Sequence, residues 1–338
     1  MTIARFLVLF AILFASPVTA QTDYSKLYVF GDSLVDSGNA FIATGGAEAS
    51  PVDGFYAGRF SNGYNFADYL STSLVGTLAT PALLGGTNFA VGGATTAPVP
   101  GTIPGLTSPS FVEQVGLYGT LVGEPIPSDA LVLVTFSGND VRSTINMGGM
   151  VTFTDAATSL TTGLNLLYAS GARNFLITGS PDIGLLPRSV QDVGAIPGRL
   201  DELTSRSQEI SSLFAQTSAA FAGQTGANVE FFDLFGFEHA VRADPAAYGL
   251  PADLDLTTPC QVINGGIPQL SNCTKSLYFD KVHPTTVVHQ AIANALVAQL
   301  SGSPAAVPEP ATWLMMIAGF GVLGIRLRRA RRTPSLAI

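Results

Sequence analysis

The amino-acid sequence predicts an α/β protein in which helices cover both faces of a mainly parallel β-sheet. Four short apolar runs carry no polar alternation, which is typical of strands that are buried on both faces. These runs lie at residues 26–30, 130–136, 174–177 and 229–232. Segments with helical spacing lie between and after them. Because strands alternate with helices, we expect a three-layer α/β/α sandwich, whose ligands bind beyond the carboxyl ends of the strands.

Three segments show the apolar periodicity of amphipathic helices. Residues 156–169 form the first and stop before Gly171, residues 200–221 form a longer and more polar one, and residues 284–300 repeat apolar side chains every four positions. Pro284 opens the last segment, and proline is favoured in the first turn of a helix. No linker or repeat divides residues 21–300, so we expect them to form one domain.

The charge of this domain limits its partners. Residues 21–300 contain 23 Asp and Glu against 10 Lys and Arg, a net charge of −13 with His neutral. A surface this acidic repels phosphate backbones, so we expect no nucleic-acid partner. Two Cys without a neighbouring His fall short of the four ligands of a structural zinc site. No other metal-ligand cluster is visible in the sequence, and we expect neither a metal nor a cofactor.

The first 20 residues have the pattern of a secretory signal peptide. Arg5 supplies the positive charge, residues 6–14 form the apolar core, and residues 18–20 (Val-Thr-Ala) form a small-residue cleavage site. The alternative is a buried N-terminal helix, which the polar segment that follows directly makes the weaker interpretation. Export to an oxidising compartment would let Cys260 and Cys273, which lie in one loop rich in Gly, Pro and Asn, form a disulfide.

The C-terminus has a different composition from the rest of the chain. Residues 301–312 contain a Pro-rich linker with a Pro-Glu-Pro motif at residues 308–310, and an apolar run at 313–325 precedes five Arg between residues 326 and 332. An apolar segment followed by Arg is a stop-transfer pattern. In this order the three parts resemble a PEP-CTERM sorting signal. The resemblance implies a transient membrane anchor at residues 313–338 that an exosortase-type enzyme processes; the alternative is a permanent C-terminal anchor.

Two short motifs at opposite ends of the domain carry residues suited to nucleophilic catalysis. Asp32 and Ser33 follow the first predicted strand, where a hydroxyl would face the ligand crevice, although Ser and Asp there are also common helix caps. Asp280 lies three residues before His283, at the turn into the last predicted helix. Across such a turn the carboxylate could orient the imidazole, whose other nitrogen could then take a proton from a serine hydroxyl. A capping Asp beside a surface His is the alternative.

A third feature is a set of hydrogen-bond donors for a developing negative charge. Asn139 follows the strand predicted at residues 130–136, and its amide could donate to an oxyanion. The Gly-rich stretch at residues 85–94 offers backbone N–H groups that a substrate could approach closely, because glycine presents no side chain. Taken alone, a Gly-rich stretch is usually only a turn.

Together these motifs resemble the GDSL family of SGNH hydrolases. The sequence contains, in order, FGDSLVDSGN (residues 30–39), NFAVGGA (88–94), GND (138–140) and DKVHPT (280–285). The resemblance spans about residues 26–300 and implies a flavodoxin-like α/β/α fold with a Ser–His–Asp triad. It carries over Ser33 as the nucleophile, His283 as the general base and acid, and Asp280 as the residue that orients the imidazole. It also implies an oxyanion hole formed by the Ser33 N–H, Asn139 and either Gly93 or its neighbour Gly92, with Gly93 preferred.

The expected function is therefore that of an exported serine esterase or lipase, which cleaves a carboxylic ester of a lipid or an acylated glycan through an acyl-enzyme. Two other functions stay open: a non-catalytic matrix protein that binds glycan or lipid, and an acyltransferase on the same fold. The two other histidines receive no catalytic role. We expect His289 to be packed or partly exposed in the last helix, and the sequence shows no carboxylate partner for His239.

Overall fold

A four-stranded parallel sheet organises the computed structural model, which describes residues 24–99, 108–146, 152–264 and 267–302. The strands are β1 (Leu27–Gly31), β2 (Leu131–Thr135), β3 (Asn174–Thr178) and β4 (Asn228–Phe232), and they lie in this order across the sheet. Residues of β1 to β3 are buried almost throughout, as their unalternating apolar sequences predict. Each of the four predicted strands is thus present, with each bound shifted by at most one residue.

A short segment after β1 extends the sheet on its other side. Val29 forms a parallel bridge with Asn88, and the N–H of Phe89 donates to the Val29 carbonyl at 2.7 Å. Counting this segment as a second strand in chain order gives the spatial order 2-1-3-4-5, which is that of flavodoxin-like folds. In such folds the ligand crevice opens where the order reverses, here between β1 and β2.

Helices complete an α/β/α arrangement around the sheet. The described residues contain α1 (Asn39–Ala43), α2 (Phe66–Val75), α3 (Phe111–Leu121), α4 (Gly138–Asn146), α5 (Phe153–Ala169), α6 (Pro187–Val193), α7 (Arg199–Thr225), α8 (Leu234–Ala243) and α9 (Thr286–Gly302). Helices α3, α5 and α7 pack side by side. Helix α2 packs against α9, where the rings of Phe66 and His289 lie 5.8 Å apart. The predicted fold class is confirmed.

The start of the last helix differs from the prediction. Helix α9 begins at Thr286, so Pro284 lies before the helix and not in its first turn. Pro284 pairs with Tyr278 in an antiparallel bridge, and the Thr285 N–H donates to the Leu277 carbonyl at 3.0 Å. These contacts keep the segment extended up to Thr285, whose carbonyl then accepts the first bonds of the helix.

The loop between α8 and α9 contains a two-stranded hairpin and a disulfide. Strands β5 (Gln261–Asn264) and β6 (Ile267–Leu270) are antiparallel. Cys260 and Cys273 flank them and are joined by a disulfide bond, the pairing that the sequence allowed. The predicted signal peptide, the Pro-Glu-Pro linker and the apolar C-terminal segment lie outside the described residues. Within the described ranges, no helix combines the length and the apolarity that crossing a bilayer requires.

Candidate active site

Ser33 lies just beyond the carboxyl end of β1, at the edge of the crevice. The last residue of the strand, Gly31, is held on both backbone groups by the side chain of Gln114: its N–H donates to Oε1 at 2.9 Å and its carbonyl accepts from Nε2 at 2.8 Å. A Cβ on Gly31 would come within 2.5 Å of the Thr135 carbonyl oxygen. Only glycine therefore lets β1 and β2 approach this closely beside Ser33.

Ser33 and His283, 250 residues apart in sequence, meet in this crevice. The Ser33 Oγ lies 2.8 Å from Nε2 of His283. The Nδ1 atom of His283 lies 2.8 Å from Oδ2 of Asp280. The other Asp280 oxygen accepts the N–H groups of Val282 and His283 at 2.8 and 2.6 Å, so one carboxylate closes the turn and orients the ring. The structure thus brings all three predicted residues into one chain of hydrogen bonds.

The electrostatics of this chain favour an ionised Asp280. Burial by itself would raise the pKa of its carboxyl group, but the charge and hydrogen bond of His283 and the two backbone N–H groups outweigh burial and lower the pKa. The His283 ring is 11% exposed and packs at 5.1 Å, centroid to centroid, against the ring of Phe60. An ionised carboxylate on one side of a fixed imidazole stabilises a proton that is transferred to the ring.

The candidate oxyanion donors are the N–H groups of Ser33 and of Gly92 or Gly93 and the Asn139 amide, and they differ in the acceptors that they already have. The Gly92 N–H donates to Oδ2 of Asp36 at 2.9 Å, whereas the neighbouring Gly93 is solvent-exposed and its N–H has no acceptor among the described residues. The Ser33 N–H likewise has no acceptor in the described part of the chain. The Asn139 amide donates one hydrogen to the Ala94 carbonyl at 2.9 Å, which leaves its second hydrogen available. This arrangement favours Gly93 over Gly92 as a donor.

Two buried carboxylates hold the loops that carry these donors, and sequence reasoning missed both. Besides the Gly92 N–H, Asp36 accepts N–H groups of residues 38, 39 and 40 at 2.7, 2.7 and 3.1 Å. Asp140 accepts the N–H and the hydroxyl of Thr96 at 3.1 and 3.0 Å. The spacing of Asp36 before Gly38 could have indicated a turn, because Asp often accepts the N–H two residues on. Nothing local to Asp140 indicates its partner.

Because they are buried, these acids ionise at a higher pH than exposed carboxyl groups do. Burial raises the pKa of Asp36 and of Asp140 to about 6, although their backbone donors work in the opposite direction. Burial likewise raises the pKa of Asp32, beside the candidate nucleophile, to about 7. Asp32 accepts a 3.0 Å bond from the Leu34 N–H and faces the crevice. The site therefore contains acids that change charge near neutral pH.

The two remaining histidines lie outside this chain of hydrogen bonds. His239 has a carboxylate partner that the sequence did not reveal, because its Nε2 lies 2.9 Å from Oδ2 of the fully buried Asp182. His289 is 1% exposed, so it is packed in the core and not partly exposed. In the described part of the chain, no three residues of the types His, Cys, Asp and Glu are grouped closely enough to hold a metal ion.

A cavity opens beside Ser33. It has a volume of about 720 Å³, including its open mouth, and its walls come from residues 181–186, α8, α9 and the segment 277–284. The described residues thus combine a Ser–His–Asp chain, potential oxyanion donors and an adjoining cavity at the carboxyl ends of parallel strands. Serine hydrolases use residues of these types in such an arrangement.

The chain belongs to the GDSL-like Lipase/Acylhydrolase family, whose family model matches residues 27–296. The family defines its class as an ester-bond hydrolase, and the predicted resemblance is confirmed. A second match, to the PEP-CTERM protein-sorting motif, covers residues 306–332. The C-terminal resemblance is thereby confirmed as well.

Several known proteins are similar to this chain. The thermolabile hemolysin of Vibrio parahaemolyticus is 26% identical over 292 residues, which cover 81% of this chain and 63% of the hemolysin. The chain thus spans less than two thirds of that relative. A GDSL esterase/lipase of Arabidopsis thaliana is 28% identical over 334 residues, covering 84% of this chain and 90% of that protein.

Two solved structures show more distant similarity. LAE5, an alpha/beta hydrolase enzyme from the metagenome of Lake Arreo, is 17% identical with a TM-score of 0.43, covering 83% of this chain and 97% of LAE5. Axe2, an acetylxylan esterase from Geobacillus stearothermophilus, is 16% identical with a TM-score of 0.42, covering 82% of this chain and 94% of Axe2.

Proposed function

We propose that the protein is an exported serine esterase that hydrolyses carboxylic esters of lipids or acylated glycans. In the reaction, Ser33 Oγ attacks the ester carbonyl while Nε2 of His283 removes its proton. Asp280 stabilises the imidazolium that forms. His283 then protonates the departing alcohol, and water attacks the acyl-enzyme by the same route.

The oxyanion of the tetrahedral intermediate is held by the N–H groups of Ser33 and Gly93 and by the Asn139 amide. Each of these groups has an N–H hydrogen that no acceptor among the described residues binds. Each such donor typically contributes on the order of 10²–10³ to the rate. Asp36 and Asp140 act here as positioning residues, because they fix the backbone on either side of these donors.

The observation that carries the proposal is the unbroken chain Asp280–His283–Ser33, with both imidazole contacts at 2.8 Å. A serine hydroxyl is a weak nucleophile until an adjoining base takes its proton. A turn cap beside a surface histidine would not place the second ring nitrogen on a serine 250 residues away.

Ser33→Ala tests the assignment, and the chain offers a matched control four residues further on. Ser37 is 1% exposed and its hydroxyl has no partner among the described residues. We expect Ser33→Ala to abolish turnover of p-nitrophenyl esters and labelling by a fluorophosphonate probe, whereas Ser37→Ala retains both. Substantial ester turnover by folded Ser33→Ala protein would refute the role of Ser33.

Labelling and product analysis also separate the other two candidate functions. A binding protein that merely retains the fold would not react with the fluorophosphonate. An acyltransferase would react, but with an added alcohol it would yield mainly the transfer ester and little free acid. For an esterase we expect free acid as the main product in both cases, because water completes the reaction.

The sorting motif supports a proposal about cellular location. A signal peptide at residues 1–20 would direct export, residues 21–300 would form the catalytic domain, and residues 313–338 would anchor it briefly in the membrane. An exosortase-type enzyme would then act near the Pro-Glu-Pro motif of residues 308–310. Mass spectrometry of the exported protein tests this: a C-terminus within the linker 301–312 is expected, and an intact tail on the mature protein would contradict processing.

A further inference from the structure

Most of the side chains that line the cavity beside Ser33 are apolar. Apolar side chains from three separate parts of the chain line its interior: Leu234, Phe237 and Val241 of α8, Val288 and Ile292 of α9, and Leu277 of the segment between them. Each of these side chains is less than a tenth exposed. The polar residues of the lining are Asp32, Ser33, Asn139, Arg142, Glu238, Tyr278 and His283.

The cavity beside Ser33 is open to solvent and lined largely by apolar side chains, so an apolar ligand group could bury this surface on binding. Its walls offer contact with methylene groups and few hydrogen bonds. A longer aliphatic chain can contact more of these side chains than the single methyl of an acetyl group can.

Two polar side chains reach the apolar part of the cavity, Glu238 and Tyr278, and both have internal partners. The Tyr278 hydroxyl lies 3.1 Å from Oε1 of Glu238, and Arg242 donates to the same carboxylate oxygen at 3.2 Å. The second Glu238 oxygen accepts the Asp182 N–H at 2.9 Å. Because their polar atoms are engaged, they are not free to recognise a polar ligand group. Their hydrogen bonds instead connect α8 to the opposite wall of the cavity.

We propose that this cavity binds the aliphatic acyl chain of the substrate, so that the enzyme prefers esters of straight-chain acids well above acetate. Val241 and Phe237 of α8, together with Ile292 of α9, set the chain length that fits. This inference rests on the proposed function, since it assigns a substrate class to the same Ser33 site.

The order of the two reaction steps favours the acyl group over the alcohol as the group that occupies the cavity. Ser33, to which the acyl carbon becomes bonded, lines the cavity together with Asn139 and His283. The alcohol must leave past His283 and be replaced by water before the acyl-enzyme can hydrolyse. An apolar wall suits the group that stays bound through both steps.

The test compares kcat/KM for p-nitrophenyl esters from acetate to decanoate in full-length protein. Each methylene that enters an apolar site typically contributes about fourfold, so we expect hexanoate to exceed acetate by at least tenfold. Val241→Phe fills the cavity and should lower the ratio of hexanoate to acetate at least tenfold. Val190→Phe, on a half-exposed side chain of α6 that does not line the cavity, is the matched control and should preserve the ratio.

A second variant and a binding measurement distinguish a filled cavity from a misfolded Val241→Phe protein. Ile292→Ala enlarges the cavity and should move the best substrate to a longer chain. Calorimetry of decanoate with Ser33→Ala protein measures binding without turnover, and adding Val241→Phe should weaken that binding at least tenfold.

The outcomes separate this inference from the proposed function. If the wild-type protein hydrolyses no ester, the proposed function is wrong, whereas decanoate binding still tests the cavity. If esters are hydrolysed but Val241→Phe and Ile292→Ala both leave the chain-length profile unchanged, the acyl-chain assignment alone is wrong. A profile that follows the length of the alcohol and ignores that of the acid would also overturn it.

Discussion

His289 is a buried histidine whose replacement should stabilise the protein, most of all in acid. Its ring is 1% exposed and packs against Phe66, and its Nδ1 has no hydrogen-bond partner among the described residues. Burial, with a smaller contribution from the charge of His283, lowers the pKa of His289 to about 3. We expect His289→Leu to raise the free energy of unfolding.

The size of the effect depends on pH. At neutral pH, removing a buried polar atom without a partner returns about 1–3 kcal/mol, and losing the ring contact with Phe66 costs about 0.5–1.5 kcal/mol. In acid, the unfolded imidazole binds a proton below pH 6.5, whereas the folded one binds it only near pH 3. Stability is therefore lost as the pH falls from 6.5 to 3. At pH 4.5 the loss is about 3 kcal/mol, because each pH unit corresponds to about 1.4 kcal/mol.

Urea unfolding at pH 7.5 and pH 4.5 measures this difference. We expect His289→Leu to gain about 3 kcal/mol more, relative to wild type, at pH 4.5 than at pH 7.5. An equal gain for His289→Leu at both pH values would refute the explanation.

Three further predictions concern the site and the hairpin loop. Asn139→Ala should lower kcat by about 10²–10³ with little change in KM in steady-state ester assays, because the amide is the proposed donor to the oxyanion. Asp32→Asn should flatten the pH dependence of the free energy of unfolding. Burial raises the pKa of Asp32 in the folded protein to about 7. In the wild-type protein this group therefore lowers stability by up to about 4 kcal/mol as the pH rises from about 4 to 7. Replacing Cys260 and Cys273 by Ser should cost about 3 kcal/mol in chemical unfolding under oxidising conditions, because the 13-residue separation closes a short loop.

The sheet could be predicted from sequence because its signal is local. A strand covered on both faces carries a continuous apolar run, and β1 to β3 each contain such a run of three or four residues. The extra strand at Asn88 could not be predicted, because it contributes a single bridge inside a stretch rich in Gly and Thr. Helix α3 was missed for a similar reason: Gly116 and Gly119 interrupt its apolar periodicity.

The same difference between local and distant contacts applies to the candidate site. Asp280 and His283 lie three residues apart, so the sequence alone indicates that they can meet. The partners of Asp140 and His239 lie 44 and 57 residues away, and no local pattern reports a contact at such a distance. Gln114 shows the same limit, since an amide in an amphipathic helix looks like any solvated position until β1 is seen beside it.

The position of Ser33 depends more on the backbone next to it than on its own side chain. Gly31 allows β1 to lie against β2, and Gln114 fixes both backbone groups of that glycine. The Asp32 N–H adds a 3.1 Å bond to the Thr135 carbonyl, the same oxygen that a Cβ on Gly31 would strike. A methyl group on Gly31 would therefore press on the strand pair that positions Ser33, the proposed nucleophile. Because catalysis is sensitive to displacements of about 1 Å, the glycine before the Asp–Ser pair constrains the proposed reaction through the backbone.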